Sequence, residues 1–82
     1  MVHGHVQGVF FRATCRREAR RLGVTGFVRN LDDGTVEAVF EGDPDAVSTM
    51  VDWAHVGPIR AEVSRVDVAD EEPEGFTDFA ER

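Results

Sequence analysis

Within 82 residues the apolar pattern switches four times between a period of two and a period near 3.6, and that order restricts the available folds more than any other feature. Residues 1–6 alternate, with Val2, Gly4 and Val6 on one side and His3 and His5 on the other, as in a short strand. Phe11, Cys15, Ala19 and Leu22 then recur at spacings of four, four and three, one stripe of a helix that Gly23 stops. Residues 24–30 alternate again, and Leu31-Asp32-Asp33-Gly34 carries the Asp-Gly pair of a tight hairpin. The returning strand, residues 35–41, sets Val36, Ala38 and Phe40 on one face against Thr35, Glu37 and Glu41 on the other, one buried and one wet. Asp43 caps and Pro44 opens a second helix, whose buried stripe is Val47, Met50, Val51 and Ala54. Residues 61–69 are rich in valine, but their apolar phase shifts between Val63 and Val66, which predicts a bulged or edge strand. An acidic turn follows, and residues 76–82 leave room for a fifth short C-terminal strand. The order β-α-β-β-α-β predicts an α+β fold, the ferredoxin-like split βαβ sandwich with two helices on one face of a mixed sheet, as a single domain over residues 1–82.

Size and charge limit what such a chain can do. A domain this small buries only about 60% of the surface its unfolded chain exposes, so it has one thin core. The lone cysteine, Cys15, forms no internal disulfide, and its place on the first helical stripe makes it a small core residue. No apolar run approaches the roughly 18 residues of a membrane span and no secretory signal is present, so a cytoplasmic location is expected. Net charge is −7 and all nine basic residues are arginine. The absence of lysine excludes Schiff-base chemistry and a P-loop lysine. An acidic surface also argues against nucleic-acid binding. Adaptation to high salt and arginine-favouring codon usage both account for such a composition.

The stretch Gly4-His5-Val6-Gln7-Gly8-Val9-Phe10-Phe11-Arg12 carries the chemistry. Its two glycines permit positive φ, so successive N–H groups can turn inward as an anion nest. The following helix adds free N–H groups and the positive end of its dipole. Arg12 supplies a planar cation able to grip two oxygens of a phosphate or carboxylate.

Taken with the hairpin, the chain strongly resembles the acylphosphatase family. Gly4, Val6, Gln7, Gly8, Val9, Phe11 and Arg12 match that family's first signature. Gly26-Phe27-Val28-Arg29-Asn30, Asp33-Gly34, Val36-Glu37 and Gly42 match its second. The resemblance implies a metal-independent monomeric hydrolase, with no cofactor, that cleaves the carboxyl–phosphate bond of small acyl phosphates. It also implies two catalytic residues: Arg12 binding phosphate and Asn30 holding the attacking water. The backbone N–H groups of Gln7, Gly8, Val9, Phe10 and Phe11 would complete the phosphate-binding loop. Two departures bear on stability rather than chemistry: the first strand is short before Gly4, and the C-terminal Phe79-Ala80-Glu81-Arg82 lacks a second apolar residue.

The other candidates have plainer readings. His3 and His5 share a strand face without further ligands, so no metal site is expected. Arg16, Arg17, Arg20 and Arg21 read as a solvated helix face, Asp32 and Asp33 as turn residues, and His55 as a helix-end cation. Trp53 is expected to cover a core edge. Two rival functions are a non-catalytic ferredoxin-like anion-binding module and an acylphosphatase-like domain of a carbamoyl-transfer maturation protein. The presence of Asn30 beside Arg12 favours catalysis over sensing, and the absence of zinc-finger cysteine pairs favours the free enzyme.

Overall fold

The computed structural model describes residues 1–82. Five strands form one mixed sheet: β1 (Val2–His5), β2 (Thr25–Asn30), β3 (Val36–Glu41), β4 (Glu62–Val66) and β5 (Phe79–Glu81). The strand order is β4-β1-β3-β2-β5. All neighbours are antiparallel except β2 and β5, which pair in parallel from Gly26↔Phe79 to Val28↔Glu81. Because β1 and β2 both oppose β3, they run in the same direction and end at the same edge of the molecule. Helix α1 (Phe11–Arg21) packs on β2 and β5, and α2 (Pro44–Val56) on β3 and β4.

Each helix begins and stops for local reasons. The Asp43 carboxylate accepts from the N–H of Asp45 at 2.9 Å and of Ala46 at 3.4 Å, which caps α2. Helix α1 has no acidic residue in its first turn and ends on Arg20 and Arg21, with Gly23 beyond it in the left-handed region. The core between helices and sheet joins Val2, Val6, Val28, Val36 and Phe79 to Phe11, Cys15, Ala19, Met50 and Ala54. Burying a side chain the size of Phe11 or Met50 is worth about 1.5–3 kcal/mol. Trp53 is half-buried at the core edge, its ring 5.1 Å from that of Phe11.

The strand predicted over residues 61–69 is both an edge strand and bulged. Its pairing with β1 jumps from His3↔Arg65 to Gly4↔Val63, leaving Ser64 as the extra residue. Gly4 sits against this bulge with φ 123°, where a Cβ would fall 2.1 Å from the Glu62 carbonyl oxygen.

Two details of the alternation differ from expectation. Gly26, Phe27 and Val28 are all buried, because the face of β2 away from the helices is covered too. There the Phe76 ring lies 5.8 Å from that of Phe27, and the Arg82 guanidinium sits 4.1 Å above the Phe27 ring. Thr35, on the face expected to be wet, is buried, its hydroxyl and N–H both donating to Asp33 Oδ1 at 2.6 and 3.0 Å.

Candidate active site

The loop between β1 and α1, residues 6–10, leaves the sheet at the edge where β2 also ends on Asn30. Its shape depends on two left-handed residues, Gly8 (φ 73°) and Phe10 (φ 62°). Both glycines expected to take positive φ do so, Gly4 within β1 at 123° and Gly8 in the loop, and Phe10 is a further positive-φ residue that the sequence pattern did not predict. With these turns, none of the backbone N–H groups of Gln7, Gly8, Val9, Phe10, Phe11 and Arg12 donates to another main-chain group. Six consecutive free donors leading into an 11-residue helix are available to an anion.

Arg12 opens the first turn of α1 and is half-exposed. Its guanidinium makes one hydrogen bond, Nη1 to the main-chain oxygen of Arg82 at 3.2 Å, and no ion pair with an acidic side chain. Of the other basic side chains of that helix, Arg16 pairs with Glu81 at 3.1 Å, Arg20 with Asp78 at 2.8 Å and Arg21 with Glu18 at 2.9 Å, while the exposed Arg17 makes no ion pair. Arg12 therefore keeps most of its donors for a ligand.

Asn30, the last residue of β2, lies opposite Val36, and its side-chain amide has no hydrogen-bond partner in the protein. The main-chain carbonyl next to it is engaged. Gln7 Nε2 donates to the Leu31 carbonyl at 2.7 Å and to that of Thr35 at 3.0 Å. On the other side, the Arg82 N–H donates to the Val28 carbonyl at 2.8 Å. The loop, Arg12 and the end of β2 are thus joined through Gln7 and Arg82. Sequence reasoning missed both links, since neither a glutamine side chain nor a terminal carbonyl announces its partner.

A shallow depression of about 260 Å³ opens beside the loop, walled by Gly8, Phe10, Phe11, Arg12, Ala13 and Glu81. A larger cavity of about 520 Å³ lies between β3 and α2, and its rim includes Glu37, Glu41, Asp70, Glu71 and Glu72. Those carboxylates repel an anion, so the smaller depression is the one suited to a phosphate.

The remaining titratable groups stand apart from this surface. Burial, and secondarily the Glu81 charge, push the Cys15 thiol up to about 12, which makes it a core residue without nucleophilic character. His3 Nε2 faces Asp67 Oδ2 at 2.9 Å, and Arg65 reaches the same carboxylate at 3.1 Å. The hydrogen bond from His3, aided by the charges of Arg65 and His3, holds Asp67 below the ordinary carboxylate range. Asp33 is lowered in the same direction by the Thr35 hydroxyl and N–H. His55 Nδ1 lies 2.9 Å from the Val51 carbonyl, a local helix-end contact.

Comparison with known proteins places these features in a group. The sequence model described as Acylphosphatase matches residues 1–81. The acylphosphatase of Thermococcus kodakarensis is 60% identical over 78 residues, 95% of this chain and 86% of that protein. Among solved structures, an acylphosphatase from Coxiella burnetii superposes with a TM-score of 0.95 at 42% identity, over 99% of this chain and 85% of that one. T. kodakarensis HypF is similar with a TM-score of 0.84 at 32% identity, over 99% of this chain but only 11% of that one.

Proposed function

We propose, on the premise that the chain belongs to the acylphosphatase family and hydrolyses acyl phosphates, that Arg12 and the β1–α1 loop bind the phosphoryl group while Asn30 directs the attacking water. The observation that carries this reading is the run of six free N–H groups ending on an arginine that pairs with no acidic side chain.

Phosphoryl transfer requires charge on the equatorial oxygens to be neutralised and the nucleophile to be held in line with the leaving group. The N–H groups of Gln7, Gly8, Val9, Phe10 and Phe11 donate to the phosphoryl oxygens, and the Arg12 fork spans two of them. The Asn30 amide is able to accept from water through Oδ1 and donate to a phosphoryl oxygen through Nδ2, which sets the line of attack. Neither group is a base. The carboxylate at the depression, Glu81, is already paired with Arg16 at 3.1 Å. The water's proton passes instead to the substrate's own phosphate. The bond to the carboxyl oxygen breaks, and the carboxylate departs as a stable anion without a general acid. A simple phosphate ester, whose leaving alkoxide needs a proton, is a much poorer substrate.

In this reading the protein works as a cytoplasmic monomer of one domain, needing neither metal nor cofactor. The deciding experiment is release of inorganic phosphate from a small acyl phosphate such as acetyl phosphate. Turnover supports the reading, and binding of phosphate without turnover sinks it in favour of an anion-binding module.

A further inference from the structure

Phe10 is the one residue other than glycine with a positive φ (62°, ψ 24°). Side chains larger than glycine or asparagine enter this region at a cost in folding free energy. Phe10 recovers none of it. It occupies the N-cap position of α1 without any side-chain capping bond. The residue is 71% exposed, although Val9 and Phe11 on either side are only 5% and 2% exposed. Backbone strain combined with an exposed aromatic ring serves stability in neither respect, and such residues persist where a ligand uses them.

The position of the ring indicates which part of a ligand that is. Phe10 and Arg12 are walls of the same 260 Å³ depression, so a phosphoryl group gripped by Arg12 lies alongside the ring. Asn30 is not one of those walls. In-line displacement puts the leaving group opposite the nucleophile. With water on the Asn30 side, the acyl group is directed into the depression. There it meets an apolar face from Phe10 and the Glu81 carboxylate, which disfavours an acyl group carrying its own negative charge.

We propose that the Phe10 ring receives the acyl group, so that the site selects acyl phosphates whose acyl part is uncharged and apolar, aromatic above all. The proposal rests on the phosphate-site reading of Arg12 and the loop, and deepens it: the loop amides read the phosphate and the Phe10 side chain reads what is attached to it.

The test is the ratio of kcat/KM for benzoyl phosphate to that for acetyl phosphate, measured in the native protein, Phe10→Gly and Phe10→Leu. Glycine suits the left-handed backbone, so the first variant folds. We expect the native ratio to favour benzoyl phosphate and Phe10→Gly to reduce it by roughly threefold to tenfold, the size of one aromatic contact. The change should lie mainly in KM, with Phe10→Leu intermediate. A ratio unchanged in Phe10→Gly, with both substrates still hydrolysed, overturns the proposal. If the native protein hydrolyses neither substrate, the phosphate-site reading itself has failed, and the proposal falls with it.

Discussion

Gln7 Nε2 donates to the Leu31 carbonyl at 2.7 Å and so ties the β1–α1 loop to the residue that follows Asn30. Its second proton goes to the Thr35 carbonyl at 3.0 Å, at the far side of the same turn. Both carbonyls keep another donor, Gly34 N–H at 3.1 Å and Leu31 N–H at 2.9 Å. Gln7→Met should therefore cost only about 1–2 kcal/mol of stability, the worth of two partly exposed hydrogen bonds. The effect on turnover should be larger, because the loop and Asn30 lose their common support. We expect kcat to fall by roughly tenfold or more while inhibition by inorganic phosphate changes little. An unchanged kcat would show that the clamp does not position the site.

Arg12 and Asn30 should fail in different ways. Arg12→Ala removes the charge proposed to hold the phosphoryl group, so turnover and phosphate binding should both be lost, kcat/KM by about 10³-fold or more. Asn30→Ala removes the group proposed to direct the attacking water, which acts chiefly in the transition state. It should lower kcat by roughly 10²–10³-fold and leave phosphate affinity largely intact. Phosphate binding by calorimetry alongside kinetics separates the two roles. Parent-rate hydrolysis by Asn30→Ala would refute its assignment.

Chelation tests the charge balance of the mechanism. Arg12 and the free amides supply all the positive potential the proposed reaction requires, so excess EDTA should leave the initial rate unchanged. A rate that falls with chelator and returns with magnesium would mean that a cation shares the work.

Cys15 should be silent in the folded state. With its thiol at about 12 and its side chain fully buried, it should resist iodoacetamide at pH 8 and react only after denaturation. Cys15→Ala should retain activity. Rapid alkylation with loss of turnover would contradict both its burial and the Arg12–Asn30 mechanism.

Acid should weaken the fold through Asp33 and Asp67. Each has its folded pKa lowered, so its stabilising effect is complete above the unfolded carboxylate value near 4 and is lost as pH falls through the folded value. Urea midpoints should be flat between pH 5 and 7 and decline below about pH 4. Asp33→Ala should make that decline shallower. The same slope in the variant would exclude Asp33 from the acid response.

Much of the architecture was legible in advance because its signals are local. The Asp33-Gly34 turn, the Asp43 cap, the Cys15 stripe and the phase shift between Val63 and Val66 each span only a few residues, and the structure bears out all four. The alternation over residues 24–30 misled because a strand's outer face counts as wet only until something covers it. Phe76 and Arg82, some fifty positions away, cover Phe27.

The sequence by itself determined the order of elements, the family signatures and the residues able to bind an oxyanion, since periodicity and side-chain chemistry are properties of short stretches. Only the tertiary structure decided how those residues meet. The order β4-β1-β3-β2-β5 brings Gln7 to a turn 24 positions away and Arg12 to a carbonyl 70 positions away. It also gave Phe10 a positive φ in addition to those of Gly4 and Gly8. Strand pairing and loop closure couple distant segments, and no local pattern records which partner a free hydrogen-bonding group will find.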